Sequence, residues 1–202
     1  ANRIEAAVTA LQGLLDALLD VSRLDAGVVT PNLSNIPVNH LLERIEMTFG
    51  PDATERELRF RVMRSHLVAY SDPVLLERIL INLVANALRY TERGGIVVGC
   101  RRRGEQIRIE VWDTGVGIAE QHQEAIFQEF YQVDNPERAR HKGLGLGLSI
   151  AGRLARLLGG RIEVRSILGK GSVFAVQVPR GEMPATAPPA MEVLPFQDSL
   201  HG

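Results

Sequence analysis

Gly143, Gly145 and Gly147 alternate with leucines within five residues, and this run constrains the fold more than any other stretch. Glycine in a helix costs about 1 kcal/mol relative to alanine, so such a run does not sit inside a regular helix. It suits a loop feeding a helix N-terminus, where backbone amides and the helix dipole favour an anion such as phosphate. Two other stretches precede it in fixed order. Ile81-Asn82-Leu83-Val84-Ala85-Asn86-Ala87-Leu88-Arg89-Tyr90-Thr91 puts two amides four residues apart, on one face of a helix. Asp113-Thr114-Gly115-Val116-Gly117-Ile118 follows the alternating run Ile107 to Trp112, a carboxylate at a strand end ahead of two glycines that let backbone come close to a ligand. Each alone has an ordinary reading: a solvated helix face, a turn-forming aspartate, a flexible loop. In this order they describe a pocket for a nucleotide and its metal.

Composition narrows the class. The 202 residues are 45% apolar, enough for one good core and a small extra element. A formal net charge of −1 gives no global field for nucleic acid or an anionic membrane. The one cysteine, Cys100, rules out an internal disulfide and a thiolate metal site, and in a strand-like run it reads as a small core hydrophobe. No apolar stretch reaches the roughly 20 residues that span a bilayer, and no signal-peptide pattern opens the chain. Residue 1 lies inside an amphipathic pattern without a methionine. The expectation is a piece of a longer protein, with any membrane attachment outside it.

Three regions are expected. In residues 1–30, Ile4, Val8, Leu11, Leu15 and Leu18 recur at alternating four-three spacing, broadened by Leu14, Leu19 and Val21, which predicts a long amphipathic bundle helix closing at Asp25-Ala26-Gly27. Residues 31–180 read as mixed α/β. Helices are predicted at Val38 to Phe49, from the Ser71-Asp72-Pro73 start to Tyr90, at Gln121 to Phe130 and at Gly147 to Leu158. Strands are predicted at Leu58 to Val62, Leu67 to Tyr70, Ile96 to Arg103, Gln106 to Trp112, Arg161 to Ser166 and Ser172 to Val178. Residues 181–202, rich in proline and alanine without apolar period, read as a flexible linker.

The three stretches resemble the N, G1 and G2 boxes of the bacterial sensor histidine kinases. Ile126-Phe127-Gln128-Glu129-Phe130-Tyr131 resembles the F box, and Gly159 through Phe174 resembles the closing hairpin. The resemblance runs from the first helix to Val178. It implies an α+β fold, a two-layer α/β sandwich of the Bergerat ATP-binding type whose mixed sheet is covered by helices. It also implies an activity, moving the γ-phosphoryl group of ATP to a histidine and onward to an aspartate of a response regulator.

By this resemblance Asn86 is the magnesium ligand, a role one neutral amide can fill when phosphates carry the charge. Asn82 supports it or the phosphates. Arg89 is a basic phosphate contact and Tyr90 a ring beside the adenine. Asp113 accepts from the adenine amino group, with Gly115, Gly117 and Ile118 passing along the base. Phe130 borders the site, and Phe127 reads equally well as core. Lys142, Gly143, Leu144, Gly145, Leu146, Gly147 and Leu148 close over the phosphates, with Arg138, Arg140 and His141 as further positive charge. Asn86, Arg89 and Lys142 are the residues assigned to catalysis. The implied cofactors are ATP and Mg2+, and the implied partners are a second copy through the helical hairpin and a response regulator or receiver domain, in the same chain or another. A cytoplasmic location follows from the same resemblance.

Two departures qualify it. None of His40, His66, His122, His141 or His201 stands in a His-Glu-Leu-Arg-like context, so residues 1–24 read as the second hairpin helix, with the acceptor upstream or lost. Arg78 stands where the family has a Gln or Glu. Three alternatives stay open: a nucleotide-binding pseudokinase acting as a docking module, a chaperone-, gyrase- or mismatch-repair-type ATPase, and an anti-sigma-type serine kinase. Asn82 at the place of a water-activating glutamate argues against the second. The long first helix and the F box argue against the third.

Overall fold

The computed structural model describes residues 26–133 and 145–182, together with Leu15, Leu19, Ser22 and Leu24, which are helical. Strand β1 (Ser34–Pro37) leads into α1 (Val38–Glu55), followed by β2 (Arg59–Val62) and β3 (Val68–Ser71). Helix α2 (Pro73–Tyr90), β4 (Gly95–Arg103) and β5 (Gln106–Asp113) come next. Two 3-10 turns (Glu120–His122 and Ala125–Phe127), α3 (Gly147–Leu157), β6 (Ile162–Ile167) and β7 (Gly171–Pro179) complete the order. The main sheet runs β2-β4-β5-β7-β6, and β1-β3 form a separate ladder. β2 is parallel to β4, and every other pair is antiparallel.

Alternation assigns one face of this sheet to the core. Ile96 and Val98, Ile107, Ile109 and Val111, and Phe174, Val176 and Val178 are buried, in one cluster with Leu42 and Ile45 of α1, Ile79, Leu80 and Leu83 of α2, and Leu154 of α3. This is the two-layer sandwich the resemblance implied. α2 begins as its sequence predicts: Asp72 Oδ1 accepts from Val74 and Leu75 N–H at 2.9 Å, and Pro73 occupies the first turn. Asp72 Oδ2 also accepts from Asn32 N–H at 2.7 Å, tying the entering chain to the helix start.

Three expectations need correction. α1 does not stop at Phe49; it passes through Pro51 to Glu55. Proline removes a helical donor, but Phe49 and Ala53 are buried on either side of it, so packing carries the helix across. The segment from Gln121 to Phe130 is not an α-helix. Gln123 Nε2 reaches out to the carbonyls of Ile118 (3.1 Å) and Ser166 (3.0 Å), and Phe130 sits at φ +59°, which a right-handed helix excludes. β1 was not foreseen: four residues, Ser34-Asn35-Ile36-Pro37, show too little alternation, and pairing with β3 decides them. Most of the first helix lies outside the described residues, and so does the chain after Glu182.

Candidate functional site

The end of β5 positions Asp113. Its Oδ1 accepts two backbone N–H bonds, from Gly115 at 2.8 Å and from Ser172 of β7 at 3.3 Å. Oδ2 has no partner among the described residues and is left for an external donor. Burial pushes the carboxyl above its ordinary value of 3.8, and the two N–H bonds only partly offset that.

The loop after Asp113 is stitched to both neighbouring elements. Val116 N–H donates to Tyr90 O at the end of α2 (3.2 Å), and Gly169 N–H of the β6–β7 turn donates to Val116 O (2.7 Å). Ile118 N–H donates to Ser166 Oγ (2.7 Å), which itself donates to Gly171 O (3.0 Å). The glycines have a reason inside the protein, independent of any ligand. A Cβ on Gly115 would lie 2.3 Å from Tyr90 O, and one on Gly117, at φ +67°, would lie 2.0 Å from Ile167 O. Gly171, at the start of β7, makes the same kind of contact: its Cβ would lie 2.0 Å from Asp113 O. Sequence reading missed Ser166, Gly171 and Ser172 as supports of this loop. Two of them act through backbone or at close backbone approach, and no side-chain pattern announces that.

On α2, Asn82 and Asn86 are part-exposed, and Arg89 and Tyr90 are exposed at its end. Asn82 Nδ2 donates to Arg78 O at 2.9 Å. Its Oδ1 would be 3.0 Å from a Cβ on Gly147, so the asparagine helix and the start of α3 meet at that glycine. Asn86 makes no hydrogen bond to the described residues. No group of three His, Cys, Asp or Glu side chains able to hold a metal ion occurs among the described residues. A free amide oxygen is what a phosphate-bound magnesium ion, satisfied by one protein oxygen, requires, so the residues present fit it.

α3 begins at Gly147 with no side chain capping its first N–H groups; Leu146 before it is buried, and Ser149 Oγ turns back to Leu146 O at 2.8 Å. Leu148 packs against the core. Gly145, at φ +72°, approaches the backbone of Phe130 and Tyr131: a Cβ there would lie 3.0 to 3.1 Å from them. Phe130 is 58% exposed, whereas Phe127 packs edge-on against Phe174 (centroids 6.5 Å) and belongs to the core. Tyr131 Oη and His122 Nδ1 are hydrogen-bonded at 2.6 Å, and Arg153 of α3 pairs with Glu129. Lys142, Gly143 and Leu144, with Arg138, Arg140 and His141, lie outside the described residues.

Residues 71–182 match the family model described as "Histidine kinase-, DNA gyrase B-, and HSP90-like ATPase". The chain is 38% identical over 185 residues to the sensor protein GacS of Pseudomonas syringae pv. syringae, covering 87% of this chain and 20% of that protein. It is 36% identical over 174 residues to the sensor-like histidine kinase R01002 of Rhizobium meliloti strain 1021, covering 85% of this chain and 33% of that protein. It thus spans a third or less of these curated relatives. The solved structure of full-length ShkA in complex with AMPPNP superposes with a TM-score of 0.77 at 29% identity, over 87% of this chain and 37% of that one. The chain belongs to the histidine kinase-, DNA gyrase B- and HSP90-like ATPase family, and within it forms the ATP-binding catalytic region of a sensor histidine kinase.

Proposed function

We propose that this region binds ATP with Mg2+ and donates its γ-phosphoryl group to a histidine on a helical hairpin, for relay to an aspartate of a response regulator. The half-satisfied carboxylate of Asp113 carries the reading. Two backbone donors hold Oδ1, and Oδ2 is free to accept the exocyclic amino group of adenine. Gly115, Gly117 and Ile118 border the base, with Tyr90 and Phe130 as exposed rings beside it.

Phosphoryl transfer needs positioning and charge stabilisation more than covalent chemistry from the protein. Asn86 would hold the metal, which would supply neutralisation of phosphate charge. Asn82, against Gly147, orients the phosphates toward the uncapped start of α3. Arg89 and Lys142 add positive charge, and residues Gly143 to Leu148 cover the phosphates. Residues 1–30 act as the second helix of a dimerisation hairpin, a role supported by the 52% and 55% exposure of Leu15 and Leu19. Residues 31–180 are the catalytic unit and 181–202 a linker. No helix among the described residues is long and apolar enough to cross a membrane, which is compatible with a cytoplasmic catalytic region.

Titration of ATP into the wild-type chain and Asp113→Asn tests the reading. The amide presents N–H where the carboxylate accepts, so a buried hydrogen bond is lost, worth about 1–3 kcal/mol or roughly 10- to 100-fold in affinity. Equal affinities sink the adenine assignment. ATP binding without transfer to a histidine-bearing hairpin supplied in the same longer chain favours a nucleotide-binding docking module.

A further inference from the structure

The face of the main sheet turned away from the core carries one straight row of five side chains. The registers Arg61↔Val97, Val97↔Trp112, Trp112↔Val173 and Val173↔Arg165 align it across all five strands. Its centre is apolar and its two ends are guanidinium groups. Trp112 is 48% exposed and Val97 38%, a large aromatic and a β-branched residue left in water where cross-strand neighbours usually cover each other. Two open depressions of about 420 and 520 Å3 share Trp112, Asp113 and Lys170 in their walls, with Arg165 and Glu120 also lining the second. In the next row, Gly99, Glu110 and Ala175, the Glu110 carboxylate accepts from Trp112 Nε1–H at 3.3 Å and fixes the indole on this face.

We infer that this row is the docking surface for the chain's own segment 191–200, Met191-Glu192-Val193-Leu194-Pro195-Phe196-Gln197-Asp198-Ser199-Leu200. Between residues 183 and 202 there is no Lys or Arg, and the acidic groups are Glu192 and Asp198. They bracket Val193, Leu194 and Phe196, just as Arg61 and Arg165 bracket Val97, Trp112 and Val173. The dimensions agree. Four interstrand gaps of about 4.8 Å put the two arginine backbones about 19 Å apart, and six extended residues from Glu192 to Asp198 span about 20 Å. The tether starts at Glu182, whose N–H is bonded to Asn35 Oδ1 on the β1–β3 ladder, and residues 183–191 can extend about 30 Å from there. Pro184, Pro188 and Pro189 then serve as tether, and the apolar-acidic stretch as occupant.

Trp112 is the chain's one tryptophan, so its fluorescence reads the surface directly. Acrylamide should quench it about twofold less in the 202-residue chain than in a chain ending at Glu182, which keeps every described element. A peptide of residues 183–202 added to the shortened chain should restore the protection, and Glu192→Lys with Asp198→Lys in the long chain should abolish it. Circular dichroism of each protein confirms that the fold is intact. Equal quenching in the long and short chains overturns the proposal. Protection that fades on dilution overturns it too, and assigns the face to a second copy.

Discussion

Ser172 N–H donates to Asp113 Oδ1 at 3.3 Å across 59 residues of sequence. Through this bond the closing hairpin orients a carboxylate that the strand before it merely delivers. Burial raises the acid's pKa above 3.8, so it takes up a proton at a higher pH than an ordinary aspartate. The ionised form, which accepts from an amino group, is the one to be lost on acidification. Wild-type affinity for ATP should therefore begin to fall at a pH above 3.8, and Asp113→Asn, already weak, should lack that component. Titrations over a pH series check it.

Asn86→Ala should separate metal from base. The side chain makes no bond to the described residues, so its loss leaves the helix face intact. Melting temperature should stay close to wild type, and binding of ADP without metal should persist. Magnesium-dependent ATP binding should drop about tenfold or more, as for a lost charge-assisted contact. Magnesium dependence unchanged from wild type rules out Asn86 as the ligand.

Gly117→Ala should harm the fold and the site together. At φ +67°, with Ile167 O 2.0 Å from the new Cβ, the loop must shift away from the β6–β7 turn. A loss of about 1–3 kcal/mol is the expected scale for such strain, read by urea denaturation. ATP binding should weaken in the same variant. Gly104→Ala, where φ is +60° but no atom lies within 4 Å, should cost stability with nucleotide binding unchanged.

The outer sheet face predicts an acid limb in stability. Arg108, its side chain 6% exposed, bonds Glu110 Oε1 at 2.6 Å and also pairs with Glu163, and Arg101 reaches Glu110 at 2.6 Å. Burial works against the Glu110 carboxylate, but the Arg108 and Arg101 bonds outweigh it and hold its pKa below 4.5; Glu163 is lowered chiefly by Arg108. Near pH 4.5 the unfolded chain therefore binds more protons than the folded one. This stabilisation is fully present above that pH and is lost as pH falls through the lower folded values. Denaturant midpoints measured downward from pH 6 should show the loss, and Glu110→Gln should flatten it. Arg108→Ala leaves Glu110 with Arg101 and the Trp112 indole N–H as partners, so at neutral pH it should cost less than a fully stranded buried carboxylate, for which the scale is about 3–5 kcal/mol.

Asp72→Ala should cost about 0.5–2 kcal/mol through the lost cap of α2, with the larger figure favoured because Asn32 N–H also loses its acceptor. Thermal unfolding of the variant measures it.

What the sequence by itself determined is local and periodic. The Ser71-Asp72-Pro73 start, the four-residue spacing of Asn82 and Asn86, the alternation that ends at Asp113 and the glycine break at Gly159-Gly160 each follow from nearest-neighbour geometry, and the fold and family were legible from their order. The tertiary structure alone decided what depends on partners far along the chain. Packing of Phe49 and Ala53 carried α1 across Pro51. Anchoring of Gln123 to Ser166 replaced a predicted helix with two tight turns. Gly115, Gly117 and Gly171 answer to carbonyls of Tyr90, Ile167 and Asp113. The second hydrogen bond to Asp113, and the alignment of Arg61, Val97, Trp112, Val173 and Arg165, come from strand register, which is set by which face is buried and is not written in any one segment.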